Sequence, residues 1–288
     1  MTGLAGKVDG IKAEDIHNRL NRLKAKNLVS KDIADVLDIF SAEQLALGFD
    51  TNELALLDAA LFSKYRDNKR QSFFCYHLFP LWLKAFEHLA TLAPGARILE
   101  LGCGTGQTSL MLSMAGFDVI GIDLSDELIA LCNKRKHYYQ SYCPELSAQF
   151  IAADAFRFDI DAIAPLDAIY SLFAFNLMKP AAELIERLSL SMRPGGIFMI
   201  SDGNVGSVWN MLPSRRRHGV AEPDTMARLL KKNNFSIRQL VTHCMLPPTL
   251  FTNPFIERLG KLVESNVSGF DFYKHLCASY TVVAQKCD

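Results

Sequence analysis

The 288-residue sequence has no excess charge of either sign: 31 Lys+Arg balance 31 Asp+Glu, for a formal net charge of zero. A dominant electrostatic grip on nucleic acid is therefore not expected. It has no C-x-x-C pair, and its seven cysteines (Cys75, Cys103, Cys132, Cys143, Cys244, Cys277 and Cys287) are odd in number. They read as reduced thiols of a cytoplasmic protein rather than a disulfide framework or a zinc site. No run reaches the ~18 uninterrupted apolar residues of a membrane span. The longest apolar patch, Ala168 to Met178, is broken by Ser171 and Asn176. The opening MTGLAGKVDGIKAEDI has no apolar h-region, so no secretory signal is expected. G-x-x-x-x-G-K-[ST] is absent, which excludes a P-loop. What is present is an ordinary globular composition, 49% hydrophobic and 22% charged. At roughly 150 residues per domain, the length suits one large domain with an appendage.

The balanced charge hides a gradient. Residues 96–205 carry 8 basic and 13 acidic side chains, and residues 206–288 carry 11 and 6. Either the middle third has carboxylates to aim at a ligand and the mildly basic last third faces an anionic group, or charges simply fluctuate along the chain. Texture changes along the chain as well. Residues 11–64 show helical stripes: Ile16, Leu20 and Leu23; then Ile33, Val36, Leu37 and Phe40; then Leu54, Leu57 and Leu61. From Ala96, short apolar strands alternate with helices. Strands are expected at 97–101, 117–122, 149–152, 166–172 and 197–200, with closing strands at 237–244 and 280–284. Ser125 suits an N-cap, and Pro180 and Pro223 suit first helical turns. A helix after Pro180 is expected to run to Met192, and Pro194-Gly195-Gly196 reads as a turn. This alternation predicts an α/β fold: a seven-stranded, mostly parallel sheet with helices on both faces. A helical N-terminal cap (residues 1–90) precedes that domain (residues 91–288), and residues 246–276 look like an insertion between the last two strands.

The most informative segment is Glu100-Leu-Gly102-Cys-Gly104-Thr-Gly106, directly after a strand and opening a helix. Position 107 is Gln, so the pattern is G-x-G-x-G and not the dinucleotide binders' G-x-G-x-x-G. Twenty-one residues past Gly102, Asp123 ends the second strand, where an acid can accept from ribose hydroxyls. Asp154 ends the third strand and Glu100 lies near the end of the first. Three carboxylates at adjacent strand ends share one crevice, the place where open α/β sheets bind ligands. Such a site suits a cationic, ribose-bearing ligand better than a phosphate.

The segments I98-LELGCGTG-Q107, G121-IDLS-S125, A153-DAF-F156 and R193-PGG-G196 together resemble the class I S-adenosylmethionine-dependent methyltransferases, over about residues 90–245 and 278–286. The resemblance implies a Rossmann-like fold, S-adenosyl-L-methionine as cofactor and methyl transfer to a small-molecule acceptor. It also implies roles. Glu100 would sit near the methionine amino group. Gly102, Cys103, Gly104 and Gly106 would line methionine and ribose with backbone. Asp123 would hold the ribose hydroxyls, with Leu124 against the adenine. Asp154 and Ala155 would meet the adenine edge, and Ser171 and Leu172 would border the methionine part.

Departures from family patterns narrow the subclass. The fourth strand ends Ser171-Leu-Phe-Ala-Phe175-Asn176, not Asn/Asp-Pro-Pro-Tyr/Phe. Phe175 and Asn176 stand where many small-molecule relatives carry a His pair, and are candidates to meet the acceptor. Asp202 and Asn204 approach half of a metal-dependent pattern whose other half is missing, so no catalytic metal is expected. Candidate bases are His218 and His243, although a lone histidine is more often a surface or core residue than a base. Tyr65 and Arg70 either close over the cofactor or belong to an ordinary amphipathic helix. Arg215 and Arg216 either grip an anionic acceptor by bidentate hydrogen bonds or sit in a solvated loop. The acceptor is expected to be small, anionic or aromatic, and the protein a monomer or homodimer. A helix-turn-helix reading of the N-terminus is disfavoured by Asp32, Asp35 and Asp38, which phosphate would repel. A protein or RNA methyltransferase, or a non-catalytic binding module of the same fold, are the alternatives.

Overall fold

A computed structural model describes residues 43, 46–59, 87–89, 91–141, 143–208, 222–243, 255, 259, 262–263 and 273–288. Tyr65, Arg70, Arg215, Arg216 and His218 lie outside the described residues. So do the first two helical stripes and most of the 246–276 segment.

The described helices and strands are, in chain order, α1 (Thr51–Ala59), β1 (Arg97–Leu101), α2 (Gln107–Met114), β2 (Asp118–Asp123), α3 (Asp126–Gln140), β3 (Ala148–Ala152), β4 (Leu166–Leu172), α4 (Ala181–Leu190), β5 (Met192–Gly203), α5 (Pro223–Lys232), β6 (Phe235–His243), α6 (Tyr273–Leu276) and β7 (Ser279–Lys286). The seven strands form one sheet in the order β3-β2-β1-β4-β5-β7-β6. β1 through β5 pair in parallel, and β7 runs antiparallel between β5 and β6.

The period of two along each central strand sends alternate residues to opposite faces. Ile98, Val119, Ala168 and Val283 join one apolar cluster, with Leu110, Leu112 of α2 and Ile129, Leu131 of α3. Leu99, Ile120, Ile169 and Val282 join the other, with Leu184, Ile185, Leu188 of α4 and Met226, Leu230 of α5. All eight residues of α2 are buried, so this helix is wedged between the sheet and its neighbours.

Local signals place the helix starts. Ser125 Oγ accepts from the Leu128 amide at 3.2 Å, capping α3 as its sequence predicts. Asp50 and Glu53 form a reciprocal capping box at α1. Asp50 Oδ1 accepts from the Glu53 amide, and Glu53 Oε2 accepts from the Asp50 amide. Glu53 also takes the Lys134 ammonium at 2.7 Å, which ties α1 to α3. Pro223 is the first residue of α5, and Pro180 caps α4.

One expected turn is a correction. Pro194-Gly195-Gly196 lies inside β5, and α4 ends at Leu190 rather than Met192. Leu166 pairs with Met192 and Ala168 with Ile197, so β5 carries the extra residues as a bulge against β4. Gly195 supplies the positive φ (78°) the bulge needs. Arg193 pins it to Asp167 at 2.8 Å, and the Gln285 amide donates to the Gly195 carbonyl. The turn chemistry is real, but the neighbouring strands absorb it.

Candidate active site

Strand order reverses about β1: β2 and β3 lie to one side, β4 and β5 to the other. That switch point opens a crevice beyond the carboxyl ends of the strands. A cavity of about 320 Å³ occupies it, lined by Gly102, Ile122, Asp123, Leu124, Ala153, Asp154, Ala155, Phe156, Ala174, Leu177, Met178 and Lys179. The size suits a small organic ligand.

The loop after β1 has a shape only glycine permits. Gly102 has φ 71°, and a Cβ there would sit 2.3 Å from Ala174 Cβ. Gly106 has φ 72°, and its Cβ would meet Cys132 Sγ and the Phe150 ring at 2.9 Å. The Ile122 carbonyl accepts from the amides of Gly102 (2.9 Å) and Cys103 (3.0 Å), so the loop is stitched onto the end of β2.

Asp123 completes that stitching. Its Oδ2 accepts from the Gly104 amide at 2.9 Å and its Oδ1 from the Ser125 amide at 3.1 Å. Each carboxylate oxygen has a second lone pair, so Asp123 keeps accepting capacity on the cavity side while shaping the loop. Asp154 Oδ1 accepts from the Phe156 amide at 2.9 Å, and its Oδ2 is 4.0 Å from Arg157 Nε. Leu124 is 76% exposed, a large apolar side chain held at the cavity wall.

Glu100 lies elsewhere than expected. It is buried beneath the loop, where Ser109 Oγ of α2 donates to Oε2, and it does not line the cavity. The cause is strand alternation: Glu100 shares a face with Ile98, toward α2. Burial pushes its carboxyl up to about 7, against the opposing pull of the Ser109 hydroxyl. The Cys103 side chain of the loop is also buried, and its hydrogen bond with Cys132 and its burial raise the thiol well above its ordinary range. Cys132 Sγ in turn donates to the Gly104 carbonyl at 3.1 Å.

The cavity thus brings together Gly102, Asp123, Leu124, Asp154 and Ala155 from the predicted set. Cys103, Gly104, Gly106, Ser171 and Leu172 fall outside its lining. Ser171 is buried and donates to the Leu101 carbonyl at 2.9 Å, joining β4 to β1, and Leu172 packs on the core cluster of α2 and α3. Phe175, expected at the acceptor, is a correction. Its ring is fully buried and meets Phe198 edge-on, with centroids 6.2 Å apart. Asn176 is likewise built into the fold: its amide donates to Asp202 Oδ2 at 2.7 Å and its Nδ2 to the Gly203 carbonyl at 3.0 Å. His243 ends β6, four strands from β1 and so roughly 19 Å away at ordinary strand spacing. Its Nε2 meets Thr281 Oγ1 at 3.1 Å.

Sequence reasoning missed the far wall: Leu177 on a 3-10 turn (Phe175–Leu177) after β4, with Ala174, Met178 and Lys179 flanking it. Leu177 is 80% exposed. The available signal was an apolar residue just before the Lys179-Pro180 helix start, at the carboxyl end of a strand beside the switch point.

Comparison with known proteins identifies the family and the fold. Residues 74–240, more than half of the chain, match the family described as a methyltransferase domain. The chain belongs to that family, the class I S-adenosylmethionine-dependent methyltransferases. It is 35% identical to an uncharacterized methyltransferase of Staphylococcus carnosus over 40% of this chain and 50% of that protein. It is 30% identical to a demethylmenaquinone methyltransferase of Beutenbergia cavernae over 42% of this chain and 47% of that one. The chain thus spans about half the length of these curated relatives. Among solved structures, the N-methyltransferase NodS of Bradyrhizobium japonicum in complex with S-adenosyl-L-homocysteine superposes with a TM-score of 0.53. The match has 12% identity and covers 80% of this chain and 98% of that one. That likeness is one of fold. Among the described residues no helix is long and apolar enough to cross a membrane.

Proposed function

We propose that the protein transfers the methyl group of S-adenosylmethionine to a small-molecule acceptor, without a metal ion. The observation that carries this reading is the convergence of Gly102, Asp123, Leu124, Asp154 and Ala155 on one cavity at the switch point. Bound there, the cofactor supplies a methyl group already activated on a sulfonium sulfur. The chain's own groups bind and orient. Asp123 offers its remaining lone pairs to the ribose hydroxyls. Asp154, whose Oδ2 lies 4.0 Å from Arg157 Nε, accepts from the adenine amino group. Leu124 and Leu177 offer apolar surface to the base from its two sides. That methyl group would be open to in-line displacement by an acceptor lone pair, with Asp123, Asp154, Leu124 and Leu177 holding the cofactor in place for it. The protein's share is alignment and exclusion of water.

The metal-independent reading is supported by the end of β4, Ser171-Leu-Phe-Ala-Phe175-Asn176, which offers no carboxylate to complement Asp202. The small-molecule reading is supported by the zero net charge and by the Beutenbergia cavernae relative's name. Demethylmenaquinone, the compound in that name, therefore heads an acceptor panel that continues with other aromatic and anionic compounds. The test is calorimetric titration with S-adenosylmethionine and S-adenosylhomocysteine, followed by methyl-transfer assay on that panel. Binding of both with turnover of one acceptor is expected. Binding without turnover of any acceptor would favour a non-catalytic module, and no binding would overturn the cofactor assignment.

A further inference from the structure

Beneath the cofactor loop, on the side away from the cavity, lies a charged cluster that the reaction does not use. Arg135 of α3 is fully buried, and so is Glu43. Their pairing is bidentate: Arg135 Nε donates to Glu43 Oε1, and Nη2 donates to Oε2 at 2.9 Å. Tyr139, one helical turn along, donates its hydroxyl to the same Oε2 at 2.7 Å. The rest of the guanidinium turns to the loop. Nη1 donates to the Thr105 carbonyl, and Nη2 donates to Gln107 Oε1. Thr105 lies between Gly104 and Gly106, and Gln107 opens α2.

One planar group thus holds three things in register: Glu43 before α1, the middle of the glycine loop, and the first residue of α2. Burial alone would lower the guanidinium's proton affinity, but the Glu43 carboxylate outweighs it and keeps the group charged. The arrangement also accounts for Gln107, the residue that departs from the dinucleotide-binding pattern. An amide oxygen there accepts from the guanidinium, as an apolar residue could not. Loop backbone at Gly104 is meanwhile held by Asp123 from the cavity side. The loop is gripped from both sides, by Asp123 at the cavity and by Arg135 beneath.

We propose that Arg135 is a positioning residue for the cofactor loop, and that Glu43 couples the chain preceding α1 to that loop, so that docking of Glu43 and binding of cofactor strengthen one another. This rests on the reading above that S-adenosylmethionine occupies the crevice. The coupling is reciprocal by thermodynamic necessity: whatever Glu43 adds to cofactor affinity, cofactor adds to the docking of Glu43.

The test compares wild type, Arg135→Lys and Glu43→Gln. Lysine keeps a cation for Glu43 but lacks the planar fork that reaches Thr105 and Gln107 at the same time. Glutamine keeps the shape of Glu43 and removes its charge. Both variants are expected to unfold cooperatively, to bind S-adenosylmethionine about tenfold more weakly than wild type, and to exchange the amides of residues 104–107 faster without ligand. In wild type, S-adenosylmethionine is expected to slow exchange in the peptide covering residues 43–50, and in Glu43→Gln that protection is expected to vanish. A merely structural pair would lower the melting temperature and leave all three readouts unmoved, so folded variants with unchanged affinity and unchanged loop exchange would overturn the proposal. If Arg135→Lys fails to fold, Glu43→Gln carries the same test. Wild-type protein that binds no S-adenosylmethionine would overturn the proposed function, whereas faster loop exchange in the ligand-free variants would still support the link from Glu43 to the loop.

Discussion

The two walls of the crevice are built differently. The glycine-loop wall rests on polar and charged groups: Glu43, Arg135, Glu100 and Ser109 buried beneath it, and half-buried Asp123 at its edge. The opposite wall, residues 174–179, rests on apolar packing of Phe175 against Phe198, with a hydrogen bond from the Asn176 amide to Asp202. The contrast follows from backbone demand. The loop is glycine-rich, so it has few side chains with which to pack, and its form must be imposed on backbone carbonyls and amides by partners placed around it. The second wall carries its own large side chains and is held by burying them. A charged support is directional but costly to break, because a partner left alone stays buried and unpaired.

The largest test of that contrast is Arg135→Ala. It leaves Glu43 buried without its cation and should lower unfolding free energy by about 3–5 kcal/mol in urea denaturation. A loss below about 1 kcal/mol would mean that the pair contributes as a surface ion pair does.

Next in size is the pH dependence set by Glu100. Its folded carboxyl is raised to about 7 from an ordinary 4.5. The folded state therefore holds a proton that the unfolded state has released in that interval. The stability from neutral Glu100 is complete below pH about 4.5 and is lost as pH rises through about 7. Glu100→Gln should remove this slope and make the protein more stable than wild type at pH 8 by up to about 3 kcal/mol. Parallel stability–pH curves for the two proteins would contradict the burial of this carboxyl.

The apolar wall should respond less. Asp202→Ala removes the acceptor of the Asn176 and Gly203 amides and should cost about 2 kcal/mol, measured by the same denaturation. An effect equal to that of Arg135→Ala would erase the distinction between the walls. The smallest effect is expected from Leu177→Ala: a few-fold loss of cofactor affinity with stability unchanged, since this side chain is exposed at the cavity rather than packed in the core. Unchanged affinity would remove Leu177 from the cavity's working surface.

What is legible in the sequence follows the same division. The parallel sheet can be read because its strands are short apolar runs between turn signals, and the 166–172 strand appears with the same bounds. The near wall can be read because core packing alone does not call for a glycine run between strand and helix with acids at the next strand ends. Phe175 and Asn176 escape such reading because alternation beyond a strand's end is lost in a 3-10 turn, where neither period applies. The residues Pro194-Gly195-Gly196 suggest a turn because a bulge and a turn ask for the same residues, and only the pairing partner decides between them. Arg135 is invisible as a support. In the run LCNKRKHYYQ it is one cation among several on a helix, and nothing local distinguishes the one that points inward. Its partners lie 92 residues upstream and 30 and 28 residues upstream, and only the fold brings them together.

Each of these roles depends on S-adenosylmethionine occupying the crevice beside Asp123. The direct measurement is calorimetric titration of wild type and Asp123→Asn with S-adenosylmethionine. Asparagine keeps an oxygen for one of the two backbone amides that Asp123 holds, and gives up the charge that faces the ribose. The account predicts saturable binding to wild type and at least about tenfold weaker binding to the variant, which corresponds to one lost charge-assisted hydrogen bond. Equal affinity in the two proteins, or no binding to wild type free of carried-over ligand, would contradict it.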